Sequence, residues 1–335
     1  MDYYSIQKAK NIQLIKHESS IFNGDCGGGL YNKTPYEHIL SKLENNFYKS
    51  SFKYIDNYRK SNSIDLHKAI GHTTSSQAFC LNHLFPIRDN EELVLYMINY
   101  ITNRKFKKVL PIIIDSDKKY ISFEVSSKND YLKEETTLRG FQNTSIDAVI
   151  LAEEELEEEQ VKTVLIVMEW KYTEPYLNID NSTDAKKGQI RLNRYSDLIN
   201  SSTQLKVKSD EYTNSIYFFG ELYQLMRQTL WAEQMILNKD KEDIQADDFL
   251  HLFICPTANK SMLSNMYPQS NQNLEATWRN LINDNSKFMI IDPVIIKDSY
   301  LYLANYDYQF IKDNNIAIEN HLKDLSLYLE ERYYK

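Results

Sequence analysis

The clearest pattern in the chain lies between residues 145 and 174, where two apolar runs, SIDAVILA and TVLIVMEWKYTE, flank an acidic connector. Val164 to Met168 are apolar without a break, as in a strand covered on both faces. The two runs predict a hairpin. Upstream, KKYISFEVSS alternates, with Ile121, Phe123 and Val125 on one face and Tyr120, Ser122, Glu124 and Ser126 on the other; it reads as the first strand of the core sheet. DDFLHLFICPTAN, stopped by Pro256, reads as a further strand and KFMIIDPVII as the last.

Helical spacing marks the remainder. Thr34 is a candidate N-cap for YEHILSKLENNFYK, where Ile39, Leu43 and Phe47 recur every four residues. Ser75 or Ser76 can cap a helix through Phe79, Cys80, Leu81 and Leu84 that Pro86 ends. EELVLYMINYI, KKGQIRLNRYSDLI, NLEATWRNLI and HLKDLSLYLEERYY, the last built on Leu322, Leu325 and Leu329, predict further helices. FFGELYQLMRQTLWAEQMIL puts Leu222, Leu225, Met226, Leu230 and Leu237 on a core face and Gln224, Arg227, Gln228 and Trp231 in a second stripe. The pattern predicts an α/β chain: a helical portion over residues 1–110 packed on a core over 111–335, whose mixed sheet has helices on both faces. No internal repeat or long linker interrupts it, which favours one elaborated domain. Residues 1–35 are polar, and Gly24, Gly27, Gly28 and Gly29 lack the Lys-Ser/Thr of a phosphate loop, so they read as a flexible lead-in.

Composition changes this picture little. Hydrophobic content of 42% and charged content of 26% are those of a folded globular chain. The 25 tyrosines match the amino-acid bias of AT-rich coding and carry no function by number alone. A net charge of −8 excludes a protein that coats nucleic acid by charge, but much of it sits in Glu153, Glu154, Glu155, Glu157, Glu158 and Glu159, read as a solvated hairpin tip that discourages edge pairing. Cys26, Cys80 and Cys255 show no CxxC spacing, so neither a disulfide framework nor a zinc site is expected. The first residues lack an apolar leader segment and no run reaches the length of a membrane span; the expected compartment is the cytoplasm.

Chemistry enters at the end of the buried run. Glu169 and Lys171 share a strand face and point toward whatever Asp147 faces on the neighbouring strand. Glu-x-Lys on an exposed face is a common pair of solvated charges; at the mouth of a buried strand such charges are costly unless used. Two carboxylates suit a hard divalent cation, Mg2+ or Mn2+, and the ammonium suits a nucleophilic water or developing phosphate charge. Glu124 is a candidate third metal ligand, with Glu91 or Glu92 as rivals for that upstream position. Lys187, Arg191 and Arg194 recur on one helical face and, with Gln224 and Arg227, are candidate phosphate contacts. His72, His83 and His251 read as packing residues. A glycosidase would not call for Lys two residues beyond Glu on the same face.

FEVS, SIDAV, EWKYTE and YQLMRQTL resemble the PD-(D/E)XK nuclease superfamily, and within it a group of restriction endonuclease-like bacterial proteins; the resemblance spans about residues 72 to 260. Ile146 stands where the superfamily name has Pro. The resemblance implies a restriction-endonuclease-like mixed sheet, DNA as substrate, and metal-dependent phosphodiester hydrolysis with Asp147, Glu169 and Glu124 on the metal and Lys171 at the water. A rival from another class is a nucleic-acid-binding or protein-interaction module on the same fold that does not cut. Homo-oligomerisation is left open.

Overall fold

The computed structural model describes residues 1–17, 20–49, 51–61, 70–114, 117–135, 143–156, 160–206, 216–306 and 316–335. It is a mixed α/β protein whose central sheet is flanked by helices. The strands are β1 (Gly29–Tyr31), β2 (Thr34–Tyr36), β3 (Phe106–Leu110), β4 (Ile112–Ile114), β5 (Asp117–Lys119), β6 (Ser122–Val125), β7 (Ile146–Glu155), β8 (Val161–Trp170), β9 (Asp248–Ile254) and β10 (Phe288–Ile291). The helices are α1 (Tyr3–His17), α2 (Ser51–Ser61), α3 (Ser76–Leu84), α4 (Glu91–Thr102), α5 (Gly188–Ser201), α6 (Gly220–Leu237), α7 (Lys260–Leu263), α8 (Leu274–Leu281), α9 (Pro293–Tyr306) and α10 (Ile316–Leu329). Among the described residues, no helix is long and apolar enough to cross a membrane.

In the sheet, β8, β9 and β10 run parallel, and β7 joins β8 antiparallel through the hairpin. The other edge of β7 is shared end to end: β3 pairs with its far half and β6 with residues Ile146 to Val149. Thus β3, which has no strong alternation, precedes β6 in the sheet, and β6 is not its first strand. Even-numbered residues Ala148, Ile150, Ile166 and Met168 join a cluster with Phe79, Val94, Met97, Tyr300 and Leu322 from α3, α4, α9 and α10. Odd-numbered Val149, Leu151, Leu165 and Val167 join Tyr195, Ile199, Leu222, Leu225 and Met226 from α5 and α6. Helices cover both faces, which explains the unbroken apolar run in β8.

Several expectations from spacing give way to side-chain networks. The glycine-rich lead-in is an ordered turn following α1, and Thr34 lies in β2 instead of capping a helix. The segment after it holds only a 3-10 turn at Leu43–Asn46. Asp25 organises it: its carboxylate accepts from the backbone of Gly27, Ser41 and Lys42, from the Ser41 hydroxyl and from the Asn45 amide. A Cβ on Gly27, which has φ +72°, would strike the Glu37 carbonyl, and one on Gly29 the Leu40 carbonyl, so these glycines serve close backbone approach. Leu237 is 76% exposed, off the core face assigned to it. Pro293 ends the last strand segment early by starting α9.

The acidic run also departs from the expected tip. Glu153, Glu154 and Glu155 sit in the ladder of β7. Glu154 accepts both Nε and Nη2 of Arg104 at 2.5 Å, and Glu155 pairs with Lys107 at 3.1 Å. Residues 157–159 lie outside the described residues. His83 bonds the Phe79 carbonyl and the Tyr334 hydroxyl, and His251 the Gln228 amide oxygen; burial lowers the pKa of each to about 3.

Candidate active site

The register of the hairpin sets the site. Ala148 lies opposite Met168, so one step further Asp147 faces Glu169, on the face covered by α6. On the other side of β7, Phe123 pairs with Ala148 and Val125 with Ile146, which leaves Glu124 facing Asp147 between them. Glu124 has φ +50°, a conformation unusual outside glycine and found at functional sites. It breaks the alternation of β6: Phe123 packs in one core cluster and Val125 in the other. Lys171 extends the β8–β9 pairing, donating its backbone N–H to the Ile254 carbonyl at 2.8 Å.

These side chains are interlocked. One Asp147 oxygen accepts the Trp170 N–H at 2.7 Å. Glu124 accepts from the Gln77 amide at 2.8 Å and the Ser145 hydroxyl at 3.0 Å. Lys171 Nζ lies 2.9 Å from Glu169, 3.1 Å from Glu221 and 2.6 Å from the Gln224 amide oxygen. Gln228 donates to the second Glu169 oxygen and accepts from His251. Glu221, Gln224 and Gln228 therefore form one stripe of α6, at i, i+3 and i+7, resting on the end of β8. The strand mouth is not open, since Glu169 is 2% and Lys171 8% exposed.

Burial, together with the charges of Glu169 and Glu124, pushes the Asp147 carboxyl well above the ordinary carboxylate range. Burial likewise raises Glu124 and Glu169, against their hydrogen bonds and, for Glu169, against Lys171. Burial works to lower the Lys171 pKa, yet Glu169, Glu221 and Glu174 hold it well above the lysine value. Glu169 and Glu221 thus flank the Lys171 ammonium with Glu174 acting on it, while Asp147 and Glu124 continue the line of carboxylates across β7 and β6. Such an excess of hard oxygen donors fits a divalent cation. Among the described residues, no three His, Cys, Asp or Glu side chains stand as a metal-binding group; Glu124 is bonded to Gln77 and Ser145, and Glu169 to Lys171 and Gln228.

Glu124 and Asp147 open into a cleft of about 460 Å3, together with Tyr4, His72, Thr74, Ser75, Ser76, Gln77 and Glu174. Ser75 caps α3 there, accepting from the Ala78 N–H. Neither Glu91, bonded to the Tyr120 hydroxyl, nor Glu92 lines this cleft. A second cleft of about 390 Å3 holds Lys187, Arg191, Arg194 and Arg227 around Tyr223. The cations of spacing are thus gathered together, but Arg227 is tied to Glu134 and Thr144, and Arg191 to the Asn181 carbonyl. Gln224 belongs with Lys171 and not with them. Residues 143–145 join the two clefts: Asn143 lines the cationic one, Thr144 meets Arg227, and Ser145 meets Glu124. Sequence reasoning missed Glu221 and Gln77. Glu221 had a signal, one turn before Gln224 on the same stripe; Gln77 had none.

A family model described as Restriction Endonuclease associating with ARP matches residues 9–333 of the chain. No curated protein and no solved structure matches it.

Proposed function

The chain belongs to the family of restriction endonucleases associating with ARP, and from that premise we propose that it is a metal-dependent nuclease of the PD-(D/E)XK kind that hydrolyses DNA phosphodiesters. The observation that carries the reading is the gathering of Glu124, Asp147, Glu169 and Lys171 where β6, β7 and β8 end, with Glu124 and Asp147 facing an open cleft. Asp147 and Glu169 would hold Mg2+ or Mn2+, with Glu124 as a third oxygen donor. A cation so held supplies Lewis-acid polarisation of the phosphate and a lowered pKa for bound water. Lys171 would orient the attacking water or offset charge on the transferring phosphate, and Glu221 and Gln224 fix its ammonium in place for that task. Lys187, Arg191, Arg194 and Arg227 would meet flanking phosphates. Arg227 stands three residues, about 4.5 Å of helical rise, beyond Gln224. The family description couples the endonuclease with ARP, and we extend that association to this chain.

A second reading, a nucleic-acid-binding module that does not cut, is favoured by the saturation of Lys171 with three partners. Incubating purified protein with circular and linear DNA separates the two. Cleavage that requires Mg2+ or Mn2+ and stops on chelation is the expected result; binding without cleavage across both metals and both forms of DNA would leave the module reading.

A further inference from the structure

The rim of the carboxylate cleft is aromatic. Tyr4 of α1 and His72 line the cleft beside Glu124 and Asp147. His72 packs edge-on against Tyr31 of β1, centroids 4.9 Å apart, and against His38 at 5.7 Å; His38 in turn meets Tyr36 of β2 at 5.7 Å. The three tyrosines are 37%, 40% and 38% exposed. Tyr31 and Tyr36 each leave part of a ring open to solvent while resting edge-on against a histidine, and Tyr4 lines the cleft itself.

The support under these rings is rigid. Among the described residues, β1 and β2 pair only with each other, joined by a two-residue turn in which Asn32 and Lys33 both have positive φ, as a tight hairpin requires. The hairpin is held to the body by the Gly29–Ile39 and Leu40–Gly71 backbone bonds and by the Asp25 network. A short hairpin with no place in the central sheet, holding Tyr31 against His72 of the cleft wall and Tyr36 against His38 behind it, is placed to contact something that enters the cleft. Lys8 stands 6.0 Å from the Tyr4 ring, and Lys33 lies exposed at the hairpin turn, so cations accompany the rings. Rings interleaved with ammonium groups are the means by which proteins hold unpaired nucleotides, the rings stacking on bases and the cations following the backbone. In a duplex the base faces are hidden in the stack and such rings have nothing to cover.

We propose that Tyr4, Tyr31 and Tyr36 form a stacking platform for unpaired nucleotides, so that the strand delivered to Glu124 and Asp147 is single-stranded or locally opened where it enters the cleft. The inference rests on the nuclease reading and narrows its substrate to nucleic acid with exposed bases.

The test is a binding measurement on the full chain in chelator, by fluorescence anisotropy of a labelled 20-nucleotide single strand and of the matching duplex. Wild type is expected to hold the single strand more tightly. Tyr31→Ala and Tyr36→Ala should each weaken single-strand binding by about fivefold to a hundredfold, leave duplex binding within about twofold, and be rescued by Tyr31→Phe and Tyr36→Phe, which keep the ring. Tyr4→Ala, on a separate helix, repeats the test if an alteration in the hairpin lowers the melting temperature. Single-strand affinity unchanged in the alanine variants, or a wild type that prefers duplex, overturns the platform and leaves the nuclease reading standing. A wild type that binds neither nucleic acid overturns both.

Discussion

Lys171→Met is expected to leave DNA binding within a few-fold of wild type while cleavage falls on the order of 100- to 1000-fold. The substitution keeps the length of the side chain and removes the one ammonium set among Glu169, Glu221 and Gln224. Asp147 and Glu124 remain, and so does the cationic cleft at Lys187, Arg191 and Arg194, so affinity for the polyanion should persist. The site is buried, which adds a second effect: Glu169 and Glu221 lose the cation between them, and breaking a buried pair costs on the order of 3–5 kcal/mol. Proton uptake by those carboxylates would soften that cost. A single-turnover cleavage assay run beside anisotropy on the same preparation separates the two effects. Cleavage at the wild-type rate by the folded variant would remove Lys171 from the chemistry.

Arg332→Ala should give the largest loss of stability, about 2–5 kcal/mol. Its guanidinium is fully buried and joins three separate segments. Nη1 donates to Asn11 of α1 at 2.6 Å, and Nη2 to Asn46 at 2.7 Å and to the Thr73 carbonyl at 3.1 Å. The cation also lies 4.2 Å from the centroid of Phe22 and 4.9 Å from that of Tyr333. Truncation opens a cavity and leaves three buried acceptors without this donor. Asn46 in turn holds the Ile70 and His72 carbonyls, so the loss should reach the cleft wall at His72 and Thr74. Denaturant unfolding reads it directly; a change below about 1 kcal/mol would show that the network carries little of the stability.

The parts of the fold that follow apolar periodicity were legible: the β7–β8 hairpin, β9, α3, α4 and α6 all sit where their patterns put them. The same parity that made Val164 to Met168 a two-faced strand put Asp147 and Glu169 on one side of the sheet. What was not legible depends on contacts remote in sequence. The segment after Thr34 has helical spacing at Ile39, Leu43 and Phe47, but its backbone polar groups are taken by Asp25 and Gly71, and tertiary bonds outweigh weak local propensity. Alternation put Phe123 and Val125 on one face opposite Glu124, but the left-handed backbone of Glu124 sends them to opposite core clusters, and nothing local in the sequence announces that turn. Gln224 and Arg227 share a stripe of α6, and only the packing sends one to Lys171 and the other to Glu134.

The account turns on whether Asp147 and its neighbours bind a divalent cation. Titrating Mn2+ into wild type and Asp147→Asn by isothermal calorimetry tests this without relying on turnover. The account predicts cation binding to wild type that Asp147→Asn weakens by about tenfold or more, since Asp147 lines the cleft and stands between Glu124 and Glu169 across the strands. Equal Mn2+ binding by the two proteins, or none by wild type, would contradict it.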